Sequence, residues 1–139
     1  MHTRLDTAAL DTIRAKIQDT VPDVIAIYQF GSTVEGREHA ESDFDLAVLA
    51  QSPLPNLDRW ELQEDLAAEL CRDVDLVDLR SASTVMQAQV LETGTVLAET
   101  DRTARQQFEM RVCSAYAMLN EERADILEDV QARGRVYGG

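Results

Sequence analysis

Lysine is almost missing: Lys16 is the only one in 139 residues, so arginine carries nearly all of the positive charge. The 13 basic residues face 26 acidic ones, for a net charge of −13. A partner held through a phosphate backbone needs clustered Lys and Arg. The shortage therefore argues against direct nucleic-acid binding and suits a basic protein partner better. No apolar run reaches the ~18 residues of a membrane span. The start, Met1 to Asp6, lacks the charged-then-apolar layout of a secretory signal. Cysteine is scarce too. Cys71 and Cys113 stand far apart in no metal-ligand spacing, and are expected to be reduced, buried or half-buried thiols of a cytoplasmic protein. Internal repeats and low-complexity tracts are absent, and no Pro or Gly interrupts the stretch from Arg102 to Arg133.

What is present fits one domain, long enough to bury a core without staples. Asp6 or Thr7 can cap a first helix through about residue 20, with Leu10, Ile13 and Ile17 on one stripe and Pro22 beyond its end. Residues 24–30 predict a strand, 31–42 a polar loop, and 43–49 a second strand ended by Pro53 and Pro55. Asn56 can cap a helix over 57–71 whose apolar side is Leu57, Trp60, Leu62, Leu66 and Leu70. A third short strand spans 73–79, Ser81 or Ser83 caps a helix to about Glu92, and 95–98 predict a last strand. Residues 102–133 predict a long amphipathic helix on Phe108, Val112, Ala115, Leu119, Ile126 and Val130, before a frayed tail. The fold class is therefore α/β of the α+β kind: a small mixed sheet with packed helices and a long C-terminal helix.

The chemistry concentrates in Gly31-Ser32, ten residues, then Asp43-Phe44-Asp45. Residues i and i+2 of a strand share a face, so Asp43 and Asp45 stand side by side. Two such carboxylates repel unless a cation lies between them. Mg²⁺ suits the role, taking one or two carboxylates and filling its other positions with water and substrate phosphates. A Gly-Ser turn just upstream can present backbone N–H groups to a phosphate. An edge-strand role for the acidic pair is the alternative, but Leu46-Ala47-Val48-Leu49 is apolar on both faces, as in an interior strand. The third strand offers Asp73, Asp75 and Asp78. Asp75, flanked by Val74 and Leu76, is the one expected to be buried and functional, and the other two read as solvated strand-end charges.

Phe30-Gly31-Ser32, Asp43, Asp45 and the later Val74-Asp75-Leu76-Val77 resemble the DNA polymerase β-like nucleotidyltransferase superfamily. The short chain is similar to its minimal members, and more closely to the antitoxin branch paired with HEPN-domain ribonuclease toxins. The resemblance implies a polymerase β-like fold in residues 1–100, with 101–139 a C-terminal helix packing on that domain and on a partner. It implies that Gly31, Ser32, Asp43 and Asp45 hold ATP, and that Asp43, Asp45 and Asp75 are the catalytic ligands of two Mg²⁺ ions. The partner implied is the HEPN toxin, with AMP transferred to a tyrosine hydroxyl. Helix residues Tyr116, Met118 and Leu127, with Glu121, Glu122, Glu128 and Asp129, are the expected docking surface. Many relatives carry an arginine soon after Gly-Ser; here only Arg37 can take that place, and His2 and His39 read as incidental. Two other readings remain open at this point: an antitoxin that neutralises by binding alone, and a nucleotidyltransferase acting on small molecules of the aminoglycoside kind.

Overall fold

The computed structural model describes the backbone of residues 7–31 and 44–138, and side chains as far as residue 127. The elements run in the order α1 (Thr7–Thr20), β1 (Val24–Phe30), β2 (Phe44–Ala50), α2 (Asn56–Leu70), β3 (Val74–Asp78), α3 (Thr84–Thr93), β4 (Thr95–Glu99) and α4 (Arg102–Gly138). Type and order match the periodicity throughout the described residues. None of the helices there is long and apolar enough to cross a membrane.

The strands form one mixed sheet in the order β3-β2-β1-β4. β1 pairs antiparallel with both β2 and β4, whereas β2 and β3 run parallel. Parallel strands need a crossover connection, and α2 supplies it. β1 is buried along its whole length and β2 nearly so, because helices cover both faces. On one face Ile13 and Ile17 of α1 and Leu62 and Leu66 of α2 pack on Ile27, Phe44, Leu46 and Val48. On the other, Val90 of α3 and Phe108 and Val112 of α4 pack on Tyr28, Phe30, Ala47 and Leu49. A bulge between Val24 and Ala26 shifts the register of β1 against β2.

Five local expectations need correction. Asn56 is not the cap of α2; Pro55 holds the N-cap position without a side-chain bond, its fixed φ suiting the entry. Leu57 and Trp60 are exposed, because the side of α2 turned to the core is Leu62 and Leu66, with Ala67 and Leu70 partly buried beside them. Cys71 and Cys113 are exposed free thiols rather than buried ones. The residues after Arg133 continue α4 to Gly138 instead of fraying. Asp78 is no solvated charge: it is 5% exposed. Its carboxylate accepts bonds from the Leu54 N–H (2.8 Å), the Arg80 N–H (3.1 Å) and the Ser81 hydroxyl (2.7 Å). The capping role of Ser83, by contrast, is observed, its hydroxyl accepting from the Met86 N–H.

Candidate active site

The site lies at one end of the sheet, where β1 finishes and β2 and β3 begin. β1 closes on the buried Phe30, and Gly31 turns the chain with φ +84°. That left-handed conformation favours glycine. Phe30 pairs with Asp45, which brings the Gly31 backbone against that carboxylate. A Cβ on Gly31 would collide with Asp45 Oδ2 and stand 3.1 Å from its Cγ. Gly31 is thus required both for its backbone angle and for its missing side chain.

Asp45 is in register with Asp75 across the parallel β2–β3 pair. Register partners in adjacent strands point to the same face about 4.8 Å apart, so the two carboxylates stand together. Asp45 is half-buried. Asp75 is exposed, contrary to the burial expected from its apolar neighbours. The reason is its face: β3 alternates, burying Val74, Leu76 and Asp78 on one side and turning Asp75 and the half-buried Val77 to the other. The starts of the two strands are clamped by the Phe44 N–H donating to the Asp73 carbonyl (2.9 Å) and by the Arg72 guanidinium lying 4.1 Å over the Phe44 ring. Ser32 and Asp43, also expected to hold the nucleotide, lie outside the described residues, as do the loop residues Arg37 and His39.

Among the described residues no three His, Cys, Asp or Glu side chains gather as a metal-binding group. The donor chemistry of the described pair nevertheless fits Mg²⁺. Asp45 and Asp75 offer hard oxygen ligands on one face, at a sheet end where substrate phosphates can complete the coordination.

Two features near the site went unread in the sequence. One is the closure of the β3 edge by α2. The Leu76 N–H donates to Gln63 Oε1 (2.9 Å), and the Leu76 carbonyl accepts from the Arg59 guanidinium (3.1 Å). The Arg59 and Gln63 spacing of one helical turn was the available signal. The other is a polar network beneath β1. Tyr28, 2% exposed, donates its hydroxyl to Glu109 (2.8 Å), which also accepts from Arg105 (2.7 Å); Arg105 in turn donates to Glu99 (2.6 Å). A tyrosine inside a largely apolar strand was the clue, since a buried phenol needs a partner. Burial, then the bond to Glu109, pushes the Tyr28 phenol well above its ordinary range.

The fold that carries this arrangement has counterparts among known proteins. The sequence profile of the polymerase β nucleotidyltransferases matches residues 12–103. The chain belongs to the polymerase β nucleotidyltransferase family. It is 46% identical over 116 residues to the protein adenylyltransferase MntA of Shewanella oneidensis, covering 84% of this chain and 83% of that one. Its structure is similar to a chain in the crystal structure of a toxin–antitoxin with AMP-PNP, at TM-score 0.79 and 43% identity, over 88% of this chain and 98% of the other. A chain in the structure of tri-AMPylated Shewanella oneidensis HEPN toxin in complex with MNT antitoxin matches at TM-score 0.76 and 39% identity, over 91% and 99%. The family match spans β1 through β4 and both acidic positions, Asp45 and Asp75, of this nucleotidyltransferase.

Proposed function

We propose that this nucleotidyltransferase is a cytoplasmic antitoxin that transfers AMP from ATP to a tyrosine hydroxyl of a HEPN-domain ribonuclease toxin. The observation that carries the chemistry is the Asp45–Asp75 register beside Gly31. The acceptor class is carried over from the adenylyltransferase MntA and from the AMPylated-toxin complex, whose similarity supports it. Free, exposed thiols at Cys71 and Cys113 suit a reducing compartment. In this reading residues 1–100 perform the transfer and the helix of 101–139 also meets the toxin.

The chain's own groups divide the work. The turn at Gly31 and Ser32 receives the triphosphate, with Gly31 giving the phosphates close access to backbone. Asp43, Asp45 and Asp75 would hold Mg²⁺, which when bound supplies positive charge against the triphosphate and the departing pyrophosphate. Asp45 and Asp75 fix the position of the reacting groups, being anchored on adjacent strands rather than on a loop. The acceptor hydroxyl oxygen forms a bond to the α-phosphorus. The bond from that phosphorus to the β-phosphate's bridging oxygen breaks, and pyrophosphate leaves. The hydroxyl proton passes to an Asp75 carboxylate oxygen and on to water. The added phosphate charge, placed near the toxin's RNA-binding surface, would repel RNA.

The deciding experiment is the intact mass of a HEPN partner protein after incubation with this chain, ATP and Mg²⁺, beside Asp43→Asn and Asp45→Asn. The expected result is a gain of AMP units with the intact chain and none with either variant, while complex formation persists. A stable complex with no mass gain from the intact chain would replace transfer by neutralisation through binding.

A further inference from the structure

A groove of about 370 Å³ runs from Asp75 along the outer side of β3. Its floor is the edge strand itself. One wall is the first turn of α2, with Asn56 and Arg59, and the other is the turn after β3, with Ser81 and Ala82, together with Met86 in the first turn of α3. Three observations define what it can hold. The edge of β3 is closed, because Leu76 N–H and C=O are taken by Gln63 and Arg59 and the Asp78 carbonyl accepts from the Ser81 and Ala82 amides. An added β-strand would find no free backbone partners at those residues. The groove therefore reads a side chain. Val77 and Met86 offer half-buried apolar surface, which suits a flat ring, methionine sulfur especially. The same groove includes Asp75, a carboxylate, so it joins an apolar bed to a hydrogen-bond acceptor in the reacting pair. An amphipathic ring bearing a hydroxyl fits that combination. A volume near the low end of ligand pockets holds one such side chain with its flanks.

We infer that this groove between α2 and α3 is the acceptor subsite, taking a phenolic side chain on Val77 and Met86 with its hydroxyl toward Asp75. The inference rests on the proposed transfer reaction for its role, yet its occupancy is measurable without any reaction. The ¹⁵N-labelled full chain is titrated with N-acetyl-L-tyrosinamide, and with N-acetyl-L-serinamide in parallel, while backbone amide shifts are followed. The expected footprint is centred on Val77, Ser81, Ala82 and Met86, is absent with the serine probe, and weakens about tenfold or more in Asn56→Trp and in Ala82→Phe, which narrow the groove from opposite walls. Asn56 is exposed, so its replacement tests occupancy without disturbing the core. Thr12→Trp, in the crevice between α1 and α2, should leave the footprint unchanged.

A footprint elsewhere, no footprint, an equal response to the serine probe, or indifference to both groove variants would overturn the assignment. The two readings fail separately. A chain that shows the footprint but never labels a HEPN protein keeps the groove and loses the reaction. Labelling that proceeds while the probe binds elsewhere keeps the reaction and loses the groove.

Discussion

At Gly31 two independent demands fall on one residue, a positive φ and the contact with the Asp45 carboxylate. Alanine there would force either the turn or the carboxylate to move. A left-handed non-glycine residue costs on the order of 1–3 kcal/mol, and an ångström of misplacement at a reacting centre costs on the order of a hundredfold in rate. Gly31→Ala is therefore expected to lower AMP transfer about a hundredfold or more while the protein stays folded by circular dichroism. Near-normal transfer would mean that the turn does not position the acidic pair. Asp78 shows the opposite fate for a carboxylate three residues from Asp75. It faces α2 rather than the site, and it spends its oxygens joining Leu54, Arg80 and Ser81. Local sequence singled out Asp75 by its apolar neighbours and read Asp78 as solvated; the fold of β3 reverses their burial, leaving Asp75 exposed in register with Asp45 and burying Asp78.

α4 is tied to the sheet by charge as well as by Phe108 and Val112. Asp101 accepts from the Ala104 N–H at the helix start (3.0 Å), and Arg105 bridges Glu99 of β4 to Glu109. Bonds from Arg105 first, and Arg102 second, hold the Glu99 carboxyl below its ordinary value of 4.5. A depressed carboxylate stabilises the fold above its unfolded pKa and loses that contribution as pH falls through the folded value. Acidification below about 4.5 should thus loosen the start of α4, and Glu99→Gln should flatten this part of the pH–stability curve in urea titrations. The raised phenol of Tyr28 carries the opposite sign: its contribution is complete below the ordinary tyrosine pKa near 10 and fades only as pH rises through the higher folded value. Phenolate absorbance should show one tyrosine ionising only well above pH ~10, and that late step should vanish in Tyr28→Phe. The same variant should cost on the order of 1 kcal/mol in urea unfolding. A late step that survives the substitution would assign the protected phenol elsewhere.

For the whole molecule, the outstanding feature is a helix longer than its own domain needs. The 37 residues of α4 extend roughly 55 Å at 1.5 Å per residue, and the described side chains buried in the core are Phe108 and Val112. Met118, Ile126 and Leu127 are exposed, among acidic residues that suit a basic partner. Met118→Asp with Ile126→Asp is expected to change unfolding free energy by less than about 0.5 kcal/mol. In calorimetry against a HEPN partner the same pair should weaken the complex about tenfold or more, equivalent to about 1.4 kcal/mol. Unfolding at lower urea with unchanged partner affinity would show that the distal helix serves its own fold.

Much of this was legible beforehand, for a physical reason. Helix and strand periodicities are local, so α1 through α4 and β1 through β4 could be read from short windows. The glycine turn and the acidic dipeptide spacing are local as well, so Gly31 and Asp45 stood out from residue chemistry alone. Three matters were settled only by tertiary structure. The β3-β2-β1-β4 order puts Asp75 in register with Asp45 and at an exposed edge. The packing of α2 on that edge closes Leu76 and, with α3, walls the groove. The meeting of Tyr28 with Glu109, 81 residues apart, completes the polar network. Each depends on which distant segments pair, and periodicity determines what an element is without determining what it meets.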